Sequence, residues 1–362
     1  MANKEFKNSF KEYKVFGNTI LALVISFFLF AIFLIVIGVN PIEVFKYMFE
    51  GSFGSSLSIQ TTMIMCSPLI FVAFATALPA KLGMVVIGGE GALVIGGLFA
   101  AIAGVYLQNT PYWWSMIGMF LAAFIAGGIW LGLVGTLRFY RGANETIVSL
   151  LLNYIAIALL NQSVEGILQD PSSLNKPSTY PIGNDKMMGV IPGTDIHYGF
   201  IIGVIIAILM YFLFQRSKFG FSVDVVGGNR KAALLAGLPI GRIIILTFFL
   251  AGGIAGLAGM IEVAAVHGKA NASLVAGYGY TGILVSFLAR HNPLAIIPVT
   301  ILFGALTASN GLIQRRCELP DATMFVLQGI IFVTIIGFEG FQRKKLFEGF
   351  SKLKLHFSTR FK

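Results

Sequence analysis

The sequence predicts an all-α polytopic membrane protein with about ten transmembrane or partial-span helices. Three observations carry that expectation. Of 362 residues 56% are hydrophobic and only 12% charged, the latter about half the share of a soluble domain. Apolar runs near residues 20–39, 61–80, 84–107, 114–137, 146–161, 199–214, 243–266, 279–289, 294–313 and 323–338 follow one another with short polar breaks. The basic residues gather in alternate breaks, as the positive-inside rule requires of a multi-pass chain. A water-soluble globule would expose large sticky patches with this composition, whereas lipid accepts it. The whole of 1–362 therefore reads as a single transmembrane domain.

Along the chain, residues 1–17 carry Lys4, Lys7, Lys11 and Lys14 and read as a cytoplasmic tail. The run 20–39 is too long for a signal-peptide core, and no small-x-small site precedes Asn40-Pro41, so it reads as a retained span. Run 84–107 is interrupted by Gly88-Gly89-Glu90-Gly91, which predicts a broken helix. Gly128 and Gly132, Gly252 and Gly256, and Ala255 and Gly259 stand four apart, a spacing that lets helix backbones approach closely in lipid. Residues 162–197, with Pro171, Pro177, Pro181 and Pro192, read as an extracellular loop of turns. Run 279–289 is about half a span and predicts a half-helix. Placing 1–17, 216–242 and 341–362 on the cytoplasmic side, with Lys81, Arg138, Arg141 and Arg290, collects 20 of the 26 Lys and Arg there. Both termini are then cytoplasmic, and Arg315 and Arg316 fall on the outer side beside Glu318 and Asp321. Gly88 to Val94 and Gly279 to Val285 share four of seven residues, so an inverted repeat of two halves is an open possibility.

Catalytic and metal motifs are absent. No G-x-x-x-x-G-K-[ST] phosphate loop and no H-E-x-x-H occurs, and His197, His267, His291 and His356 make no ligand spacing. Cys66 and Cys317 form no framework. The basic excess flanks apolar spans, which is retention by the membrane and not a nucleic-acid surface. Acids within or near spans are Glu90, Glu145 and Glu262. Glu90 reads either as part of a permeation route or as a structural salt bridge or hydrogen bond. Glu145, Ser149 and Asn153 recur every four residues after Asn144 and so share one helix face, which turns either toward a water-filled path or toward another helix. Tyr278 and Tyr280 offer flat faces and hydroxyls to a ring-bearing or hydroxylated ligand, although interfacial tyrosines are also common.

The segment 226–239 is the most informative polar stretch. Asn229 is a good N-cap, Gly237 a good stop, and Pro239 forbids continuation, so about two turns of helix are specified across Gly228, Asn229, Arg230, Lys231, Ala232, Ala233, Ala236 and Gly237. The alanines leave one flank shallow enough to press into another protein's groove. The alternative is a helical turn lying at the membrane surface.

With these motifs in hand the chain resembles the permease subunits of ABC importers for simple sugars and nucleosides, a group related to the branched-chain amino acid permeases. The likeness runs over nearly all the spans. It rests on Arg141-Gly-Ala-Asn-Glu-Thr-Ile147 with Leu152-Asn-Tyr-Ile155, on Gly228-Asn229 ending in Ala236-Gly237, and on Gly277-Tyr-Gly-Tyr-Thr-Gly-Ile283 with Ala289-Arg-His-Asn-Pro293. The family's Asn-Ile-Gly-x-Glu-Gly-Gln stretch stands here as Val86-Ile-Gly-Gly-Glu-Gly-Ala92, lacking both amides. The resemblance implies half of a translocation pore in the cytoplasmic membrane, working with a second, different but homologous permease. It also implies a cytoplasmic ATP-binding subunit holding ATP and Mg, and a substrate-binding lipoprotein that captures nucleoside. No cofactor is expected on this chain, and 229–237 is expected to couple to the ATPase. A secondary transporter or facilitator is the competing expectation, and a membrane-embedded enzyme using Glu90 and Glu145 a remote one.

Overall fold

The computed structural model describes residues 2–173 and 175–338. The basic tail expected over 341–362 lies outside the described residues. Thirteen α-helices carry the described chain: α1 (Ala2–Val36), α2 (Pro41–Phe53), α3 (Ser56–Lys81), α4 (Gly89–Tyr106), α5 (Tyr112–Arg141), α6 (Glu145–Glu165), α7 (Gly199–Arg216), α8 (Lys218–Gly228), α9 (Arg230–Leu235), α10 (Ile240–Ile261), α11 (Tyr278–Leu288), α12 (Pro293–Cys317) and α13 (Ala322–Phe338). A π-helical turn, Glu262–His267, extends α10. Among the described residues seven helices are long and apolar enough to cross a membrane, namely α3, α4, α5, α6, α7, α10 with its π turn, and α12. Ile20–Val36 of α1, Ala272–Leu288 including α11, and α13 are shorter apolar stretches. Every apolar run of the sequence thus contains a helix.

The described residues divide into two compact units, one of residues 2–49 with 310–338 and one of residues 50–309. In the first, Ser26 in α1 hydrogen-bonds Thr334 in α13 at 2.5 Å. Phe27 and Phe30 of α1 pack on Phe45 of α2. Between the first two apolar runs the chain forms α2. Asn40 caps it through the Ile42 N–H at 3.0 Å, and Val44 and Met48 are buried.

In the second unit α10 is the centre, packed against α3, α4 and α5. Close approach is made by glycine: a methyl on Gly256 would overlap the Ala123 carbonyl of α5, and one on Gly259 the Leu93 carbonyl of α4. The predicted four-residue spacing on α10 is therefore a helix-crossing device. On α5 the backbone-to-backbone contact falls at Gly127, while Gly132 has only loose contact with Phe249. The packing is reciprocal, with α4 lying against α10 and α11 against α3.

Between α7 and α10 the sequence specified one short helix, and the structure holds two. The unforeseen α8 is capped by Ser217, whose hydroxyl accepts the Gly220 N–H at 3.1 Å, and it buries Val223 and Val226. The 162–197 segment is mostly turns, as its prolines require, and it is tied to its own chain. Thr179 donates its N–H to the Ala270 carbonyl at 2.9 Å, Ile182 to Gly268 at 2.9 Å, and Met188 to Ala264 at 2.7 Å. Ser172 donates two hydrogen bonds to the exposed Asp170 carboxylate and holds it below the usual aspartate range. His197 is buried with neither ring nitrogen paired among the described residues, and desolvation pushes its pKa down to about 4.

Candidate functional site

Two clusters bring together the residues singled out from sequence. The first surrounds the break in the third apolar run. Helix α4 starts only at Gly89; the N–H groups of residues 82–84 still bond the end of α3, but Val85 to Ile87 lie outside either helix and their backbone groups need other partners. Helix α6 supplies them. Ser149 Oγ accepts the Ile87 N–H at 3.1 Å, and Asn153 Nδ2 donates to the Ile87 carbonyl at 2.8 Å while its Oδ1 accepts the Gly91 N–H at 2.7 Å. Thr146 Oγ1 donates to the Val85 carbonyl at 2.8 Å. The predicted polar stripe therefore points at its own chain, with Ser149 and Asn153 fully buried.

Glu90 completes this cluster. It too is fully buried, and its carboxyl oxygens accept the N–H groups of Gly277 at 2.8 Å and Gly279 at 2.5 Å. These donors begin α11, so a side chain from the first turn of α4 caps the half-helix. Contact is close enough that a methyl on Gly279 would strike the Glu90 backbone. The two segments that echo one another in sequence thus meet in space at their helix starts.

The remaining predicted path residues are placed around this clamp. Asn144 caps α6, its Oδ1 accepting from Thr146 at 2.9 Å and Ile147 at 3.2 Å. Glu145 lies 3.1 Å from Arg138 Nε at the end of α5. Tyr278 is half-buried, with its hydroxyl 3.6 Å from Met65 Sδ. Tyr280 is exposed, with Asn153 in hydrogen-bonding reach of its hydroxyl. Glu262, not selected as a site residue from sequence, is buried in the π turn with its carboxylate 3.5 Å from His267 Nε2. An acid alone in a long apolar run was the available signal, and π turns cluster at functional positions.

The second cluster is the α8–α9 module. Asn229 caps α9 as expected, accepting from Lys231 at 3.0 Å and Ala232 at 3.1 Å. Gly237 takes the left-handed conformation, φ +72, that ends the helix. One expectation needs correction: Ala233 is fully buried against its own chain, so the alanine flank does not form a shallow outward face there. The outward groups are Arg230, Lys231, Ala232 and Ala236, together with Leu234 at 69% and Leu235 at 89% exposure, which were not singled out from sequence. At the other end of the module Lys81 lies 4.0 Å from Asp224 and 5.7 Å above the Phe214 ring, and Gly227 abuts the Lys81 carbonyl. The module therefore rests on the point where α3 passes into residues 82–88.

Among the described residues no group of three or more His, Cys, Asp or Glu side chains could hold a metal ion. A cavity of about 220 Å³ lies among Phe71, Trp113, Phe120, Met188, Ile202 and Met260. Its walls give a polar solute no hydrogen-bond partner, so it is not a candidate for solute recognition.

Residues 58–336 match the family described as branched-chain amino acid transport system / permease component. The chain is similar to a glucose ABC transporter permease protein of Haloferax volcanii, 27% identical over 91% of this chain and 90% of that relative. It is 26% identical to a guanosine ABC transporter permease protein of Bacillus subtilis over 87% of this chain and 91% of the relative. A nucleoside ABC transporter permease protein of Lactococcus lactis subsp. cremoris is also 26% identical, over 88% of this chain and 90% of the relative.

Proposed function

The chain belongs to the family of branched-chain amino acid transport system permease components, and from that premise we propose that it is the transmembrane subunit of an ATP-driven importer of nucleosides. It is a multi-pass permease without a catalytic site of its own. The proposal places it in the cytoplasmic membrane with both termini inside, beside a second homologous permease. ATP and Mg bind the partner ATPase, and a lipoprotein delivers the solute.

The observation that carries this reading is α9, a short helix capped at both ends that presents Leu234 and Leu235 beside Arg230 and Lys231. Two exposed leucines on a basic polar loop suit burial against a partner protein. When the ATPase subunits close, α9 moves, and α8 passes the motion through Gly227 to the Lys81–Gly88 segment and so to the Glu90 clamp. Gly228, Asn229, Ala232, Ala236 and Gly237 shape that lever, and the buried Ala233 seats it. Asn144, Glu145, Ser149 and Asn153 hold the pore wall in register, with Tyr278 and Tyr280 toward the solute. Guanosine- and nucleoside-carrying relatives support the choice of solute.

The test is Leu235→Arg in the complete assembly. Loss of ATPase co-purification and of guanosine uptake, with normal membrane amounts of this chain, is the expected outcome; retention of both sinks the assignment. Uptake that persists in vesicles containing no ATPase subunit would instead establish the facilitator reading.

A further inference from the structure

The chain has three tryptophans, and they divide into two kinds. Trp113 and Trp114 stand at the start of α5, 73% and 66% exposed, where an indole is at home near a membrane surface. Trp130 lies well inside the same helix, and its Nε1 is buried with no acceptor among the described residues. A donor in that position forfeits the hydrogen bond it would make to water and gains none in return. A phenylalanine there would carry no such cost.

The neighbours of Trp130 show what its N–H can reach. A methyl built on Gly91, in the first turn of α4, would stand 3.2 Å from Trp130 Nε1 and 2.7 Å from Asn153 Oδ1. These two atoms therefore flank one point, with α5 bringing a donor and α6 an acceptor to the start of α4. The acceptor is in use. Asn153 Oδ1 takes the Gly91 N–H at 2.7 Å, while Nδ2 is held by the Ile87 carbonyl at 2.8 Å. Leu131, the next residue of α5, sits as closely against the break, since a methyl on Gly88 would be 2.7 Å from Leu131 Cδ2. Trp130 thus lies against the piece of chain that the proposed coupling route displaces, beside an acceptor that the displacement would vacate.

We propose that Trp130 is a positioning residue of the transport cycle, its indole N–H replacing the Gly91 N–H on Asn153 Oδ1 when residues 82–91 move. The inference rests on the importer reading above and deepens it, by naming a group that sets the balance of two states. In this structure the Gly91 bond is made and the Trp130 donor is unpaired. In the second state the donors exchange. Losing the Gly91 bond with nothing in its place would leave buried Asn153 short of a donor, and the exchange removes that cost. A segment with two arrangements that differ by one hydrogen bond is what a coupling signal can bias.

The test has two readouts on the complete assembly. The first is Trp130→Phe, which keeps an aromatic ring and deletes the donor. It removes an unpaired group from the first state and a hydrogen bond from the second, so guanosine uptake is expected to fall about tenfold, with normal membrane amounts and ATPase co-purification. The second leaves Trp130 intact in a Trp113→Phe, Trp114→Phe background. It follows the ultraviolet Raman band that reports hydrogen bonding at the indole N–H, first without nucleotide and then after trapping with ATP and vanadate. On trapping, the band is expected to move from the unbonded to the bonded position. Wild-type uptake by Trp130→Phe overturns the proposal, as does a band that does not move that way. If Trp130→Phe fails to assemble, the band decides alone. Absence of guanosine uptake by the unmodified assembly strikes the importer reading, whereas a band that moves on trapping still upholds the exchange.

Discussion

The Glu90 clamp and the α9 lever use polar residues in opposite ways. In the clamp, Glu90, Ser149 and Asn153 are spent on backbone groups of the same chain, because residues 82–88 and the start of α11 lie where water cannot serve them. In the lever, Asn229 satisfies two N–H groups at the helix start and the remaining polar side chains stay outward, with two leucines exposed beside them. A polar side chain in the clamp thus holds the fold together, whereas the exposed leucines of α9 are, in the proposed function, the surface for another protein. The comparison teaches that chemistry in this chain is read by where a residue departs from its surroundings.

Removing the Glu90 carboxyl is the strongest test of that contrast. Glu90→Ala leaves the Gly277 and Gly279 N–H groups buried and unpaired, and is expected to cost about 3 kcal/mol, seen as a large drop in the detergent melting temperature. A melt within a degree of wild type would break the comparison. Asn153→Leu removes both bonds to the broken segment and is expected to cost about 2 kcal/mol; faster hydrogen exchange confined to residues 84–92 would mark the lesion.

The 162–197 segment sharpens the rule, because His197 is buried there with neither ring nitrogen paired among the described residues. Its pKa falls from 6.5 to about 4, so the unfolded loop binds the proton more tightly than the folded one. Its contribution to stability is complete above pH 6.5 and drains away as pH drops toward 4. Protection factors across residues 186–198, taken relative to the intrinsic exchange rate at each pH, should fall over that window in wild type and lose the acid dependence in His197→Phe.

On the lever the stability effects are smaller. Asn229→Ala is expected to cost about 1 kcal/mol through the lost cap, and Leu235→Arg to leave the melt unchanged while abolishing ATPase retention. Ala233→Arg should do the reverse of Leu235→Arg and lower the melt, since that position faces its own chain. Equal melts for the two arginine variants would show that α9 has no inner face.

How far the sequence carried each region follows from the range of the interactions. The α9 boundaries were legible because Asn229, Gly237 and Pro239 act within one helical turn. Helix α8 was not, since its glycines and valines disfavour a helix on their own and Val223 and Val226 are held by burial. Periodicity found the α6 stripe but not what it touches: Asn153 and Ile87 are 66 residues apart.

The sequence alone settled the solvent, the number and rough limits of the apolar helices, the capped helix α9 and the family, for all of these depend on composition and on neighbours within a few residues. Tertiary structure alone decided that Glu90 caps α11, that Ala233 turns inward while Leu235 turns out, and that Asn153 is spent on the broken segment. The physical reason is that burial and hydrogen-bond partnership belong to pairs of residues distant along the chain, and a side chain's character does not say which pair will form.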